Sequence, residues 1–139
     1  MAVPRRFGEF ARALRALARV PSDVARAAAV EIERVWRATQ RAGLTPYGGA
    51  YAPLTAGSLE RGRRPPPLRK YARTASVRAM AGAGIALRQS HPQAGFHQTG
   101  TRPMARRIVV PDRGLPRSWQ RTIAAQFRRT IKRRLAGAA

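Results

Sequence analysis

A chain of 139 residues is the size of one domain, long enough to bury a single core and too short for two independent ones. Its 28 lysines and arginines against 6 aspartates and glutamates leave a formal charge of +22, which points to an anionic partner: nucleic acid, a phosphate-rich surface, or the acidic faces of other subunits. With no cysteine, disulfide frameworks, thiolate metal sites and thiol nucleophiles are excluded.

The first segment sets Phe7, Phe10, Leu14 and Leu17 three or four residues apart, with Arg12, Arg15 and Arg19 between them, and predicts a short amphipathic helix. Pro21-Ser22-Asp23 then reads as a helix start. Val24, Ala28, Ile32, Val35 and Trp36 continue at helical spacing until Gly43 supplies a stop, so a second, longer helix is expected. The apolar faces of the pair need a sheet or a partner to cover them.

From Gly43 to Leu59 turn formers dominate and an ordered loop is expected. Residues 60–70 follow with Arg61, Arg63, Arg64, three consecutive prolines at 65–67, and Arg69. This composition resists helix and central strand alike and predicts an exposed, mobile arm, either a solvated linker or a grip on phosphate or a neighbouring subunit. Ala75–Met80 and Ile85–Gln89 flank Ala81-Gly82-Ala83-Gly84 and suggest a β-hairpin, while Ile108-Val109-Val110 forms the core of the best strand candidate. A last helix opens at Leu115-Pro116-Arg117-Ser118 and carries a stripe of Trp119, Ile123, Phe127, Ile131 and Leu135. Its other faces hold Arg117, Arg121, Arg128, Arg129, Lys132, Arg133 and Arg134. The expected fold is therefore α+β: two N-terminal helices and a C-terminal helix packed on a small antiparallel sheet of three to four strands, in a single domain spanning 1–139.

The chemistry-bearing residues are sparse. The only acids are Glu9, Asp23, Glu31, Glu33, Glu60 and Asp112, and Glu31 and Glu33 point to different sides of a helix, so no carboxylate pair for acid–base catalysis is expected. His91 and His97 have only Asp112 as a nearby acid, so no metal site is expected and His97 reads best as a structural histidine. Neither a nucleophile elbow nor a phosphate loop occurs, and the reading is against an enzyme and against a cofactor. Arg61, Arg63, Arg64 and Arg69 of the arm, with Arg128, Arg129, Lys132, Arg133 and Arg134 of the last helix, are the candidate contacts to DNA or to a partner protein. Lys70 and Lys132 are the only lysines. A G+C-rich source would raise arginine, alanine and proline together, so the preference for arginine has a mutational as well as a chemical explanation. No run approaches a membrane span or a signal peptide, and the product is expected to stay in the cytoplasm unless assembled into a released particle.

Taken in order, several motifs carry a resemblance. They are Pro46-Tyr47-Gly48-Gly49-Ala50-Tyr51-Ala52-Pro53-Leu54-Thr55, Phe96-His97-Gln98-Thr99-Gly100-Thr101, Arg102-Pro103-Met104-Ala105-Arg106-Arg107, and Leu115-Pro116-Arg117-Ser118-Trp119 behind two N-terminal helices. The series resembles the phage virion morphogenesis family of tail-completion and head–tail joining proteins, over about Phe7 to Phe127. The chain departs from it at Tyr51, where the family usually has tryptophan, at Met104, and between 60 and 74, where arginine and proline replace leucine-rich text. The resemblance implies an α+β subunit of a homo-oligomeric ring, sixfold to match a tail tube, at the head-proximal end of the tail of a virion. Its implied partners are copies of itself, other neck, connector and tail-tube proteins, and viral DNA in the lumen. It also implies that Phe96, His97, Gln98 and Gly100 form a tight turn, that Arg102 and Pro103 position the strand that follows, and that these roles are structural. Two readings compete with it: a sequence-independent nucleic-acid-binding protein, motivated by the charge, and a nuclease or maturation enzyme of phage DNA, which the missing acid cluster disfavours.

Overall fold

The computed structural model describes residues 3–101 and 106–137. Its elements run α1 (Val3–Ala18), α2 (Val20–Arg41), α3 (Ala56–Glu60), a 3-10 turn (Arg69–Arg73), β1 (Ala75–Ala79), β2 (Ile85–Gln89), α4 (Ala94–Thr99) and α5 (Arg117–Ala136), an α+β arrangement.

Helices α1 and α2 are separated by Arg19 alone. Pro21 sits in the first turn of α2, where a missing N–H leaves no helical bond unmade. The other end of α2 closes in a Schellman motif: Gly43 donates to the Gln40 carbonyl at 3.1 Å and Leu44 to the Thr39 carbonyl at 2.9 Å. Gly43 adopts φ +72°, and a Cβ there would overlap the ring of Pro66, so glycine is required twice over.

The core lies where α2, β1 and α5 meet. Ala28, Ala29, Ile32 and Trp36 pack with Ala75 and Val77 and with Trp119. The two indoles stand edge to face, centroids 5.9 Å apart and planes at 61°. The Trp36 N–H donates to the Val109 carbonyl at 3.1 Å, which draws the segment before α5 onto the core.

Strands β1 and β2 pair antiparallel, with Ala75 opposite Gln89 and Val77 opposite Leu87. Among the described residues the sheet has these two strands rather than three or four. Two features explain the difference. Along the outer edge of β1, the Val77 N–H donates to the Glu33 carboxylate at 2.9 Å and the Ala75 carbonyl accepts from Arg37 Nε at 2.9 Å. Glu33 and Arg37 are themselves paired at 2.9 Å one turn apart on α2, so two of the ladder groups that an additional strand would use are already occupied. Moreover, Ile108-Val109-Val110 does not enter a ladder: the polar backbone atoms of Val109 and Val110 bond to side chains instead, as described below.

The apolar stripe of α5 differs as well. Trp119 and Thr130 are buried and Ile123 is half-buried, whereas Phe127 and Leu135 are exposed. Each step of four residues overshoots a helical turn by about 40°, so a strict i+4 series winds around a straight helix. By Leu135 it has passed from the buried side to the outside.

Candidate interaction surfaces

The glutamine of the His-Gln box is the centre of a clasp. The Gln98 side-chain amide donates to the Val110 carbonyl at 2.9 Å, and its oxygen accepts from Val109 N–H at 2.8 Å and Val110 N–H at 2.9 Å. It thus acts in place of a neighbouring strand. The main chain adds Arg107 N–H to the His97 carbonyl at 2.8 Å. The buried Arg107 guanidinium then forks onto the Ala52 and Pro53 carbonyls at 3.0 and 2.9 Å, tying the 46–55 loop to the same clasp. At the other end of that loop, the Tyr47 hydroxyl accepts from Arg113 N–H at 2.6 Å and donates to the Gly114 carbonyl at 3.0 Å. The residue types around 96–100 point to this region, but the parts played by Tyr47 and Arg107 have no signal in local spacing, because their partners lie more than fifty positions away.

Phe96, His97 and Gln98 stand in α4 rather than in a tight turn. The turn falls at Gly100, whose φ of +77° and ψ of 163° belong to glycine and whose Cα lies so close to Arg106 that an added Cβ would sit 3.3 Å from its backbone. Phe96 is exposed. Arg102 and Pro103 lie outside the described residues.

His97 is buried, with its ring 5.5 Å from that of Tyr71, which also meets the His91 ring at 3.9 Å. Burial, then the positive charge of Arg107, then His91 and Arg63, push the His97 imidazole below its ordinary value. Burial and Lys70 lower His91 likewise. The Tyr51 hydroxyl is buried without a hydrogen-bond partner among the described residues, and burial raises its phenol above the ordinary tyrosine value. Among the described residues no group of three or more histidines and acids stands close enough to hold a metal ion.

The predicted basic contacts divide into separate places. Arg61, Arg63 and Arg64 are exposed, as is Arg69 in the 3-10 turn, but the arm is anchored: Pro66 packs over Gly43, and Tyr71 and Ala72 just beyond it are buried. Arg134, by contrast, is engaged at the start of α2, where its Nε lies 2.7 Å from the Asp23 carboxylate and Arg26 takes the other oxygen at 2.7 Å. Arg134 first, then Arg26, hold that carboxyl below the usual range. The arm therefore sits at the end of α2 and the last turn of α5 at its beginning, about 27 Å apart along the helix axis. They do not form one patch. Arg128, Arg129, Lys132 and Arg133 are exposed on α5. Arg117 and Arg121 are exposed on the same helix, and their relation to Arg128 and Lys132 is visible from an eleven-residue spacing in the sequence.

A second kind of surface is apolar. Phe7, Phe10 and Leu14 of α1 are 70%, 59% and 51% exposed, although α1 touches α5. Phe127 and Leu135 of α5 are also exposed. Among the described residues no helix is long and apolar enough to cross a membrane.

No family model, no curated protein and no solved structure matches this chain.

Proposed function

We propose that this chain is a structural subunit of the neck or tail-completion ring of a tailed phage, placed at the head-proximal end of the tail and taking part in head–tail joining. The observation that carries the proposal is the uncovered apolar face of α1. Single exposed apolar side chains are ordinary, but three large ones on one helical face form a patch that an isolated, highly charged monomer has no reason to present to water. A neighbouring subunit covers such a face. The resemblance to the phage virion morphogenesis family adds to this reading, since Gln98, Arg107 and the 46–55 loop meet in one clasp and the similarity therefore falls on residues that set the fold. In a ring of six, a sheet of three or four strands arises when a neighbour adds a strand along β2, whose Ile85 and Leu87 backbone groups point away from β1.

The test is electron microscopy of lysates from a phage deleted for this gene. Filled heads and separate tails are the expected result, abnormal tail lengths would move the protein to tail termination, and normal infectious particles would overturn the structural role. A second reading, sequence-independent nucleic-acid binding, is favoured by one observation: α5 has no acidic residue at any position.

A further inference from the structure

We infer that the outer face of α5, formed by Arg117, Arg121, Arg128 and Lys132, is a binding surface for the phosphate backbone of duplex DNA. The inference rests on the nucleic-acid reading and assigns its site. Eleven residues complete three helical turns to within about 20°, so Arg117 aligns with Arg128, and Arg121 with Lys132. All four are exposed, and the row lies diametrically opposite the line of Trp119, Ile123 and Thr130 that faces the core. It spans about 22 Å of helix.

Several features select the partner. None of the four is ion-paired among the described residues, whereas Asp23, Glu31, Glu33 and Asp112 are all held by other arginines. Like charges four apart, as in Arg117/Arg121 and Arg128/Lys132, weaken an isolated helix, so an anion bound along the row relieves a repulsion built into the element. Between the cations lies Ala124, the row holds no aromatic residue, and the one large apolar side chain on this face, Leu135, stands at its C-terminal end and not at its centre. A protein partner needs an apolar or aromatic anchor at the centre of the contact, and single-stranded nucleic acid needs aromatic faces for stacking. A double helix needs neither: it presents one phosphate charge per roughly 1.7 Å of axis, dense enough to offer a phosphate to each of the four cations along the row.

The test compares two variants of the full chain by fluorescence anisotropy on a short duplex of mixed sequence, titrated across salt concentrations. One variant replaces Arg117, Arg121, Arg128 and Lys132 by glutamine. The other replaces Arg61, Arg63, Arg64 and Arg69, removing the same charge from the arm. Counterion release contributes about 0.9 to the log–log salt slope per phosphate neutralised, so the α5 variant should flatten the slope by about 3 to 4 and weaken binding on the order of a hundredfold at moderate salt. The arm variant should lose less than a third of that slope change, and both should keep the parent's circular dichroism, since every replaced side chain is exposed. Equal losses in the two variants would overturn the α5 site while leaving nucleic-acid binding standing. A parent chain that shows no salt-dependent binding would overturn both.

Discussion

At Gln98 one side chain replaces a strand. Its amide makes three hydrogen bonds to the backbone of residues 109 and 110, and a typical intramolecular hydrogen bond contributes about 0.5–1.5 kcal/mol net. Gln98→Leu keeps the volume and leaves two N–H groups and a carbonyl unpartnered; a loss of roughly 2–4 kcal/mol in denaturant unfolding is expected. A change below 0.5 kcal/mol would show that the clasp holds without it. Beside it, His97 sets a pH response. Its imidazole titrates below the unfolded value of about 6.5, so between those two values the unfolded chain binds more protons than the folded one. The stabilisation is complete above the unfolded value and is lost as pH falls through the window towards the folded one. Melting temperature should therefore drop on acidification from pH 7 to 5, before most carboxylates titrate, and the drop should shrink in His97→Gln. After burial, the charges of Arg107 and Arg63 beside His97, and of Lys70 beside the neighbouring His91, act in the same direction.

Among the elements, α1 and α2 differ in what they cover. The α2 helix buries Ala28, Ile32 and Trp36 completely, while α1 leaves Phe7, Phe10 and Leu14 in solvent. If that face serves assembly, replacing the three by glutamine should leave the thermal unfolding of the isolated chain within about 0.5 kcal/mol of the parent, as expected of exposed positions. The same triple variant should fail to form higher oligomers in native mass spectrometry under conditions where the parent forms them. Loss of stability with unchanged assembly would assign α1 to the fold instead. The three long helices were legible in the sequence because periodicity and end signals are local: Pro21 and Asp23 lie in the first turn of α2 and Gly43 closes its end, whereas the short α3 and α4 carry no such period. The rotation of α5 was less so. Its apolar residues recur every four positions, and only packing against α2 shows that the buried line follows 119, 123 and 130 and leaves Phe127 outside.

For the whole molecule, composition settled the net charge and the absence of cysteine, because these are sums over residues and need no coordinates. The pattern of apolar residues likewise announced helices at both ends and a hairpin between them, since each depends on neighbours within a turn or a strand. Tertiary structure alone decided the rest. The Ile108-Val109-Val110 segment has the β-branched composition of a strand, yet Trp36, seventy-three positions away, takes the Val109 carbonyl, and Gln98 takes the groups on either side. Arg134 looks like one more surface cation until Asp23, 111 positions away, engages it. In each case the outcome depends on a contact between residues that are distant in sequence, and local periodicity carries no record of which distant backbone or carboxylate a side chain will meet.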